Sequence, residues 1–154
     1  MKARLPQRCF ARGVAALEAA LTLGLAAFMV PCLIVLGNVL RQRLVLETVA
    51  YQSARQLAVL PRPQMSKSAG YQEAEARIRA QAMAALGGAG IDTSEVTFLA
   101  DCPRGFCGSA SLPQQVQVRL VATVHASAWG PAVGWLIGSQ GLELRAVAVL
   151  RYEN

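Results

Sequence analysis

The chain has 154 residues, of which 54% are hydrophobic, and 15 basic side chains against 9 acidic ones give a net charge of +6. That length holds one modest globular domain plus one further element, not a multidomain assembly. The basic excess does not argue for nucleic acid: Lys2, Arg4, Arg8 and Arg12 carry +4 of it within the first 13 residues. No separate basic stripe with interleaved aromatics remains elsewhere.

In chain order, residues 1–13 form a basic leader without an acidic residue. Residues 14–60 read as one long helix, transmembrane in its first part and amphipathic in its extension. Residues 19–40 are 22 positions without a formal charge. As a helix, at about 1.5 Å per residue, they span roughly 33 Å, enough for a bilayer core. A cleavable secretory signal has a shorter apolar core of about 7–15 residues and then a small-x-small site. Asn38-Val39-Leu40-Arg41 offers no such site. The basic leader predicts a cytoplasmic N-terminus, with the rest of the chain beyond the membrane. Pro31 lacks a backbone donor and crowds the preceding turn, so it predicts a kink. Past residue 40, Leu46, Val49, Ser53, Leu57 and Leu60 recur at helical spacing, and Arg43 and Glu47 form an i,i+4 pair. "LPRPQ", beginning at Leu60, predicts the end of this helix.

Residues 61–154 read as an extracytoplasmic α+β domain, one helix on a three-stranded antiparallel sheet. The helix covers residues 71–86, with Tyr71, Ala74, Ile78, Ala82 and Ala85 as its apolar stripe and "GGAG" as its stop. Strands are expected at residues 95–100, 115–126 and 142–152. In the second, Val116, Val118, Leu120, Ala122 and Val124 alternate with Gln117, Arg119, Thr123 and His125. In the third, Leu142, Leu144, Ala146, Ala148 and Leu150 alternate with Glu143, Arg145 and Arg151. The last two strands are joined by "SAWGPAVGWLIGSQG", with a short helical turn at 132–137.

The four cysteines divide by location. Cys9 falls in the leader and Cys32 in the apolar run, which leaves Cys102 and Cys107 in the exported part. In "CPRGFC", Pro103 and Gly105 favour a tight turn, so Cys102 and Cys107 are expected to form a small disulfide loop. A metal site is not expected, since tetrahedral zinc takes four ligands and His125 is the only histidine. Ser109 and Ser111 lack a nucleophile-elbow context, and the glycines of "ALGGAGID" follow a helix instead of opening a phosphate cradle. Trp129 and Trp135 flank a Gly-Pro turn, where they either pack over one end of the sheet or offer a patch to a partner or a membrane. With no catalytic constellation and no cofactor motif, the expectation is a protein that is not an enzyme.

One residue resists this scheme. Glu18 stands at the start of the apolar run, where a carboxylate costs roughly 2.5–3.5 kcal/mol on insertion scales. A basic leader, Gly13, then Val14-Ala15-Ala16-Leu17 and Glu18 at the mouth of the apolar run resembles the class III, type IV pilin-like signal G-x-x-x-x-E. The resemblance implies cleavage after Gly13 by a prepilin peptidase on the cytoplasmic side, leaving Val14 as the new N-terminus. Gly13 lets the backbone approach a protease closely. Glu18 would be the fifth residue of the product and could pair with a free α-amine, offsetting the burial of its carboxylate.

Over roughly residues 12–58 the resemblance extends to TadE-like minor pseudopilins of the tight-adherence (Flp, type IVc) pilus system. It rests on R-G-x-x-x-x-E-x-A-L, the apolar span and "QSARQLAV"; Ala19 stands where that family commonly has Phe. The small Cys loop between strands and the final strand "LELRAVAVLRYE" are similar to TadE-like ectodomains. The family implies a single-pass protein of the inner membrane that acts in pilus assembly and surface adherence. Its implied partners are the prepilin peptidase, other pilins and pseudopilins, the Tad inner-membrane machinery and membrane lipid. A minor pseudopilin of a type II secretion or other type IV system shares these features. The reading from a different class is a bitopic envelope protein whose ectodomain binds a partner.

Overall fold

The structure is a computed structural model that describes residues 8–124 and 141–153, with side chains described from Val14 onward. Its elements are α1 (Arg8–Ala58), α2 (Arg62–Met65), α3 (Ser68–Gly88), a 3₁₀ turn (Thr93–Glu95), β1 (Val96–Asp101), β2 (Gln115–Val124) and β3 (Leu142–Arg151). The class is α+β: a long apolar N-terminal helix, then a small domain of helix and three-stranded antiparallel sheet. The contacts divide the chain into two units, Met1–Asn38 and Val39–Asn154.

In the first unit α1 continues through Pro31 as helix. Its large apolar side chains point outward: Leu17, Leu21, Leu23 and Leu25 are each more than 60% exposed. At a mean hydropathy of 2.4 this helix is long and apolar enough to cross a membrane.

The second unit begins inside the same helix. Leu46, Val49, Ala50, Ser53, Ala54, Leu57 and Ala58 are buried, on the stripe expected from their helical spacing. They join Tyr71, Ala74, Ile78, Ala82 and Leu86 of α3 and the inner sheet face in one hydrophobic cluster. The amphipathic half of α1 is therefore part of the domain core. The small residues Ala50, Ser53, Ala54 and Ala58 let neighbouring elements approach closely.

The sheet order is β1-β2-β3, both pairs antiparallel. Val116, Val118, Leu120, Ala122 and Val124 are buried, as alternation requires, with Leu144 and Ala146 beside them from β3. The outer face carries Arg119 and Arg145 but also Leu99, Val147 and Val149, about half exposed. β1 is an edge strand, and α3 supplies donors to two of its carbonyls. The Tyr71 hydroxyl donates to Ala100 O at 3.3 Å and the Arg79 guanidinium to Phe98 O at 3.4 Å. Arg79 also lies over the Phe98 ring, 5.5 Å from its centre, and pairs with Glu75 at 2.9 Å. Such side-chain cover is one way of blocking strand addition at an open edge.

Several boundaries differ from the sequence reading. α1 ends at Ala58, and "RPQM" forms the short turn α2, with Pro63 inside its first turn, where a missing donor is harmless. α3 starts at Ser68 and runs through Gly87 and Gly88. The chain reverses two residues later, at Gly90 with φ +80°, where Ile91 N donates back to Leu86 O at 3.1 Å. β3 ends at Arg151, and Tyr152 continues the alternation inward, its N–H donating to Gln114 O at 3.1 Å. Its hydroxyl donates to Leu60 O at 2.7 Å, and Glu153 N donates to Ala58 O at 3.1 Å, satisfying a carbonyl at the end of α1. His125, Trp129, Trp135 and the turn expected at 132–137 lie outside the described residues.

Candidate processing and assembly site

The residues singled out for processing lie in the first unit, on one helix. Gly13 is helical, Val14 is 63% exposed and Glu18 is exposed. Residues four apart share a helix face, so the Val14 and Glu18 side chains project on the same side of the rod. The Thr22 hydroxyl donates within the helix to Glu18 O and Ala19 O, both at 3.0 Å, which satisfies the one hydroxyl of this turn. Among the described residues no cation pairs with the Glu18 carboxylate.

Helix already begins at Arg8, so the boundary between leader and apolar run is not a break in secondary structure. Gly13 lies inside this helix, where glycine is about 1 kcal/mol less favourable than alanine.

The disulfide Cys102–Cys107 is formed, with its Cα atoms 5.6 Å apart, in the loop joining β1 to β2. Gly105 adopts φ +135° and lies against Pro113; Gly108 adopts φ +69°. A Cβ on Gly108 would sit 2.9 Å from Ser68 Cα and 3.3 Å from the Tyr71 side chain, so the loop is seated directly on the start of α3. Arg104 O accepts from Gln114 N at 3.3 Å. The Ser109 hydroxyl donates to Phe106 O or Ser111 O, each 3.0 Å away, and so serves the loop itself. Sequence reasoning found the cysteine pair but not the seat on α3. Gly108 was its only trace, and a glycine after a turn has many commoner explanations.

Electrostatics outside the apolar segment are mild. Burial, aided by Glu75 and Asp101, pushes the Tyr71 phenol up to about 12. The hydrogen bonds from Arg145 lower the Glu143 carboxyl on the exposed sheet face. An open groove of about 440 Å³ runs between Val59, Leu60 and Pro61 on one side and Arg77, Ile78 and Gln81 of α3 on the other. Among the described residues there is no cluster of three or more His, Cys, Asp or Glu side chains that could hold a metal ion. No protein-family model, no curated protein and no solved structure matches the chain.

Proposed function

We propose that this chain is a minor pseudopilin, processed by a prepilin peptidase after Gly13, and that it acts in building a pilus of the tight-adherence type. It is held in the cytoplasmic membrane by α1, with its N-terminus on the cytoplasmic side and the α+β domain outside. The observation that carries the reading is the position of Gly13 and Glu18. A carboxylate five residues past a glycine stands where a basic leader meets a long helix whose large apolar side chains are exposed. A simple anchor gains nothing from a carboxylate there. A subunit that packs its helix among others gains a partner for a free α-amine, and a hydrogen-bonded ion pair is tolerated in apolar surroundings where a lone carboxylate is not. The disulfide loop suits an oxidising compartment, which agrees with the domain lying outside the cytoplasm.

Intact-mass measurement in strains with and without the prepilin peptidase tests the processing step, and an uncleaved chain in both strains refutes it. For assembly, Glu18→Ala is expected to leave cleavage largely intact and abolish piliation and surface adherence. Glu18→Gln, which keeps hydrogen bonding without charge, should be intermediate at best. Normal pili with Glu18→Ala would reduce the carboxylate to a marker of the membrane boundary.

A further inference from the structure

Phe106 is 76% exposed, more than any other large hydrophobic side chain among the described residues. It is not a floppy residue at a loose tip. The Cys102–Cys107 bridge closes its loop, the carbonyls of Arg104 and Phe106 are both hydrogen-bonded, and Gly105 and Gly108 press the backbone on Pro113 and Ser68. A side chain that adds nothing to the core, yet is held in place on both flanks, is preorganised for contact with something else.

Its surroundings define the partner. Gln115 pairs with Arg151, Tyr152 N donates to Gln114 O, and Glu153 N donates to Ala58 O. The loop, the end of β3 and the end of α1 therefore share one end of the Val39–Asn154 unit. Gly108 seats the loop on Ser68, next to Lys67, and Arg62 opens α2 four residues past the end of α1. Arg62, Lys67, Arg104 and Arg151 thus gather at this end against Asp101 and Glu153. Among the described residues none of the four cations is in a salt bridge. We propose that this end of the domain is an interfacial membrane-binding surface, Phe106 entering the headgroup boundary and the four cations meeting anionic lipid. An exposed aromatic side chain at an end of the domain where segments bearing Arg and Lys meet is a pattern that binds at such an interface. The proposal is independent of leader processing and of pilus assembly.

The test uses the full chain in phosphatidylcholine nanodiscs, which occupy the apolar helix, and flotation with separate vesicles. Nanodiscs are expected to float with phosphatidylcholine vesicles containing phosphatidylglycerol and not with phosphatidylcholine alone. Phe106→Ser should weaken the interaction about tenfold, since it removes one buried aromatic side chain from the contact. Arg104→Glu should weaken it at least fivefold, from roughly 1 kcal/mol per cation at an anionic surface. Because Phe106 is exposed, the urea midpoint of Phe106→Ser should match the parent, so that lost binding is not lost folding. Equal flotation with both vesicle types, or unchanged binding in Phe106→Ser, overturns the proposal. A parent chain that stays off anionic vesicles also overturns it, and leaves the loop to a protein partner.

Discussion

Replacing Gly108 by alanine tests how the disulfide loop is held on the domain. Two costs add at this position. The backbone is left-handed, φ +69°, which an L-residue with a Cβ adopts at roughly 1–2 kcal/mol. The new Cβ would also stand 2.9 Å from Ser68 Cα, a backbone atom at the start of α3 that no rotamer change can move away. Forcing that separation open shifts either the loop or the helix, at about 1–3 kcal/mol for an overpacked site. The sum is about 3 kcal/mol. Gly90 supplies the internal control: it too is left-handed, φ +80°, but a Cβ there meets nothing within 4 Å. Gly90→Ala should therefore show the conformational part alone, about 1 kcal/mol. Urea unfolding of the full chain in mild detergent, followed by far-UV circular dichroism, measures both. If Gly108→Ala costs no more than Gly90→Ala, the loop is not seated on α3 and the argument from close approach fails.

Leu57, 1% exposed, and Leu44, 63% exposed, lie on the same helix, yet Leu57→Ala should cost about 3 kcal/mol and Leu44→Ala almost nothing in the same unfolding experiment. Equal costs would mean that the second half of α1 is not a core element. Cys102→Ser opens a six-residue loop and should cost about 2 kcal/mol, read as a lower urea midpoint that the parent reproduces on reduction. Tyr71 gives a pH dependence. Its phenol is raised from 10.0 to about 12, so the neutral form is the one the fold favours. That contribution is complete below pH 10 and is lost as pH rises toward 12, on the order of 1–2 kcal/mol after allowance for partial solvent screening. Tyr71→Phe should flatten the fall of the urea midpoint across that alkaline window, and an unchanged slope would remove Tyr71 as its cause.

Much of this architecture was legible in the order of residues because it rests on periodicity. An uncharged run of 22 residues, a stripe from Leu46 to Leu57 and two strands whose inner positions are all apolar are local patterns, and the described structure follows them. The candidate processing site rests instead on the resemblance of Gly13, Val14 and Glu18 to a known signal, and the structure adds only that the three residues lie on one helix. What the sequence could not say concerns contacts between distant segments. Leu44 and Leu57 are the same residue type in one helix, and only packing against α3 and the inner sheet face buries the second. Tyr152 reads as one more strand residue, and only the fold brings its hydroxyl to Leu60 O, 92 positions away. "GGAG" reads as the stop, and the helix ends within it, at Gly88, two residues past the expected boundary at 86, with the positive φ of the reversal supplied by Gly90. Phe106 carries no periodic signal at all. Its exposure on a bridged loop, at an end of the domain shared with the segments that carry Arg62, Lys67 and Arg151, exists only once the strands and helices have brought those segments together.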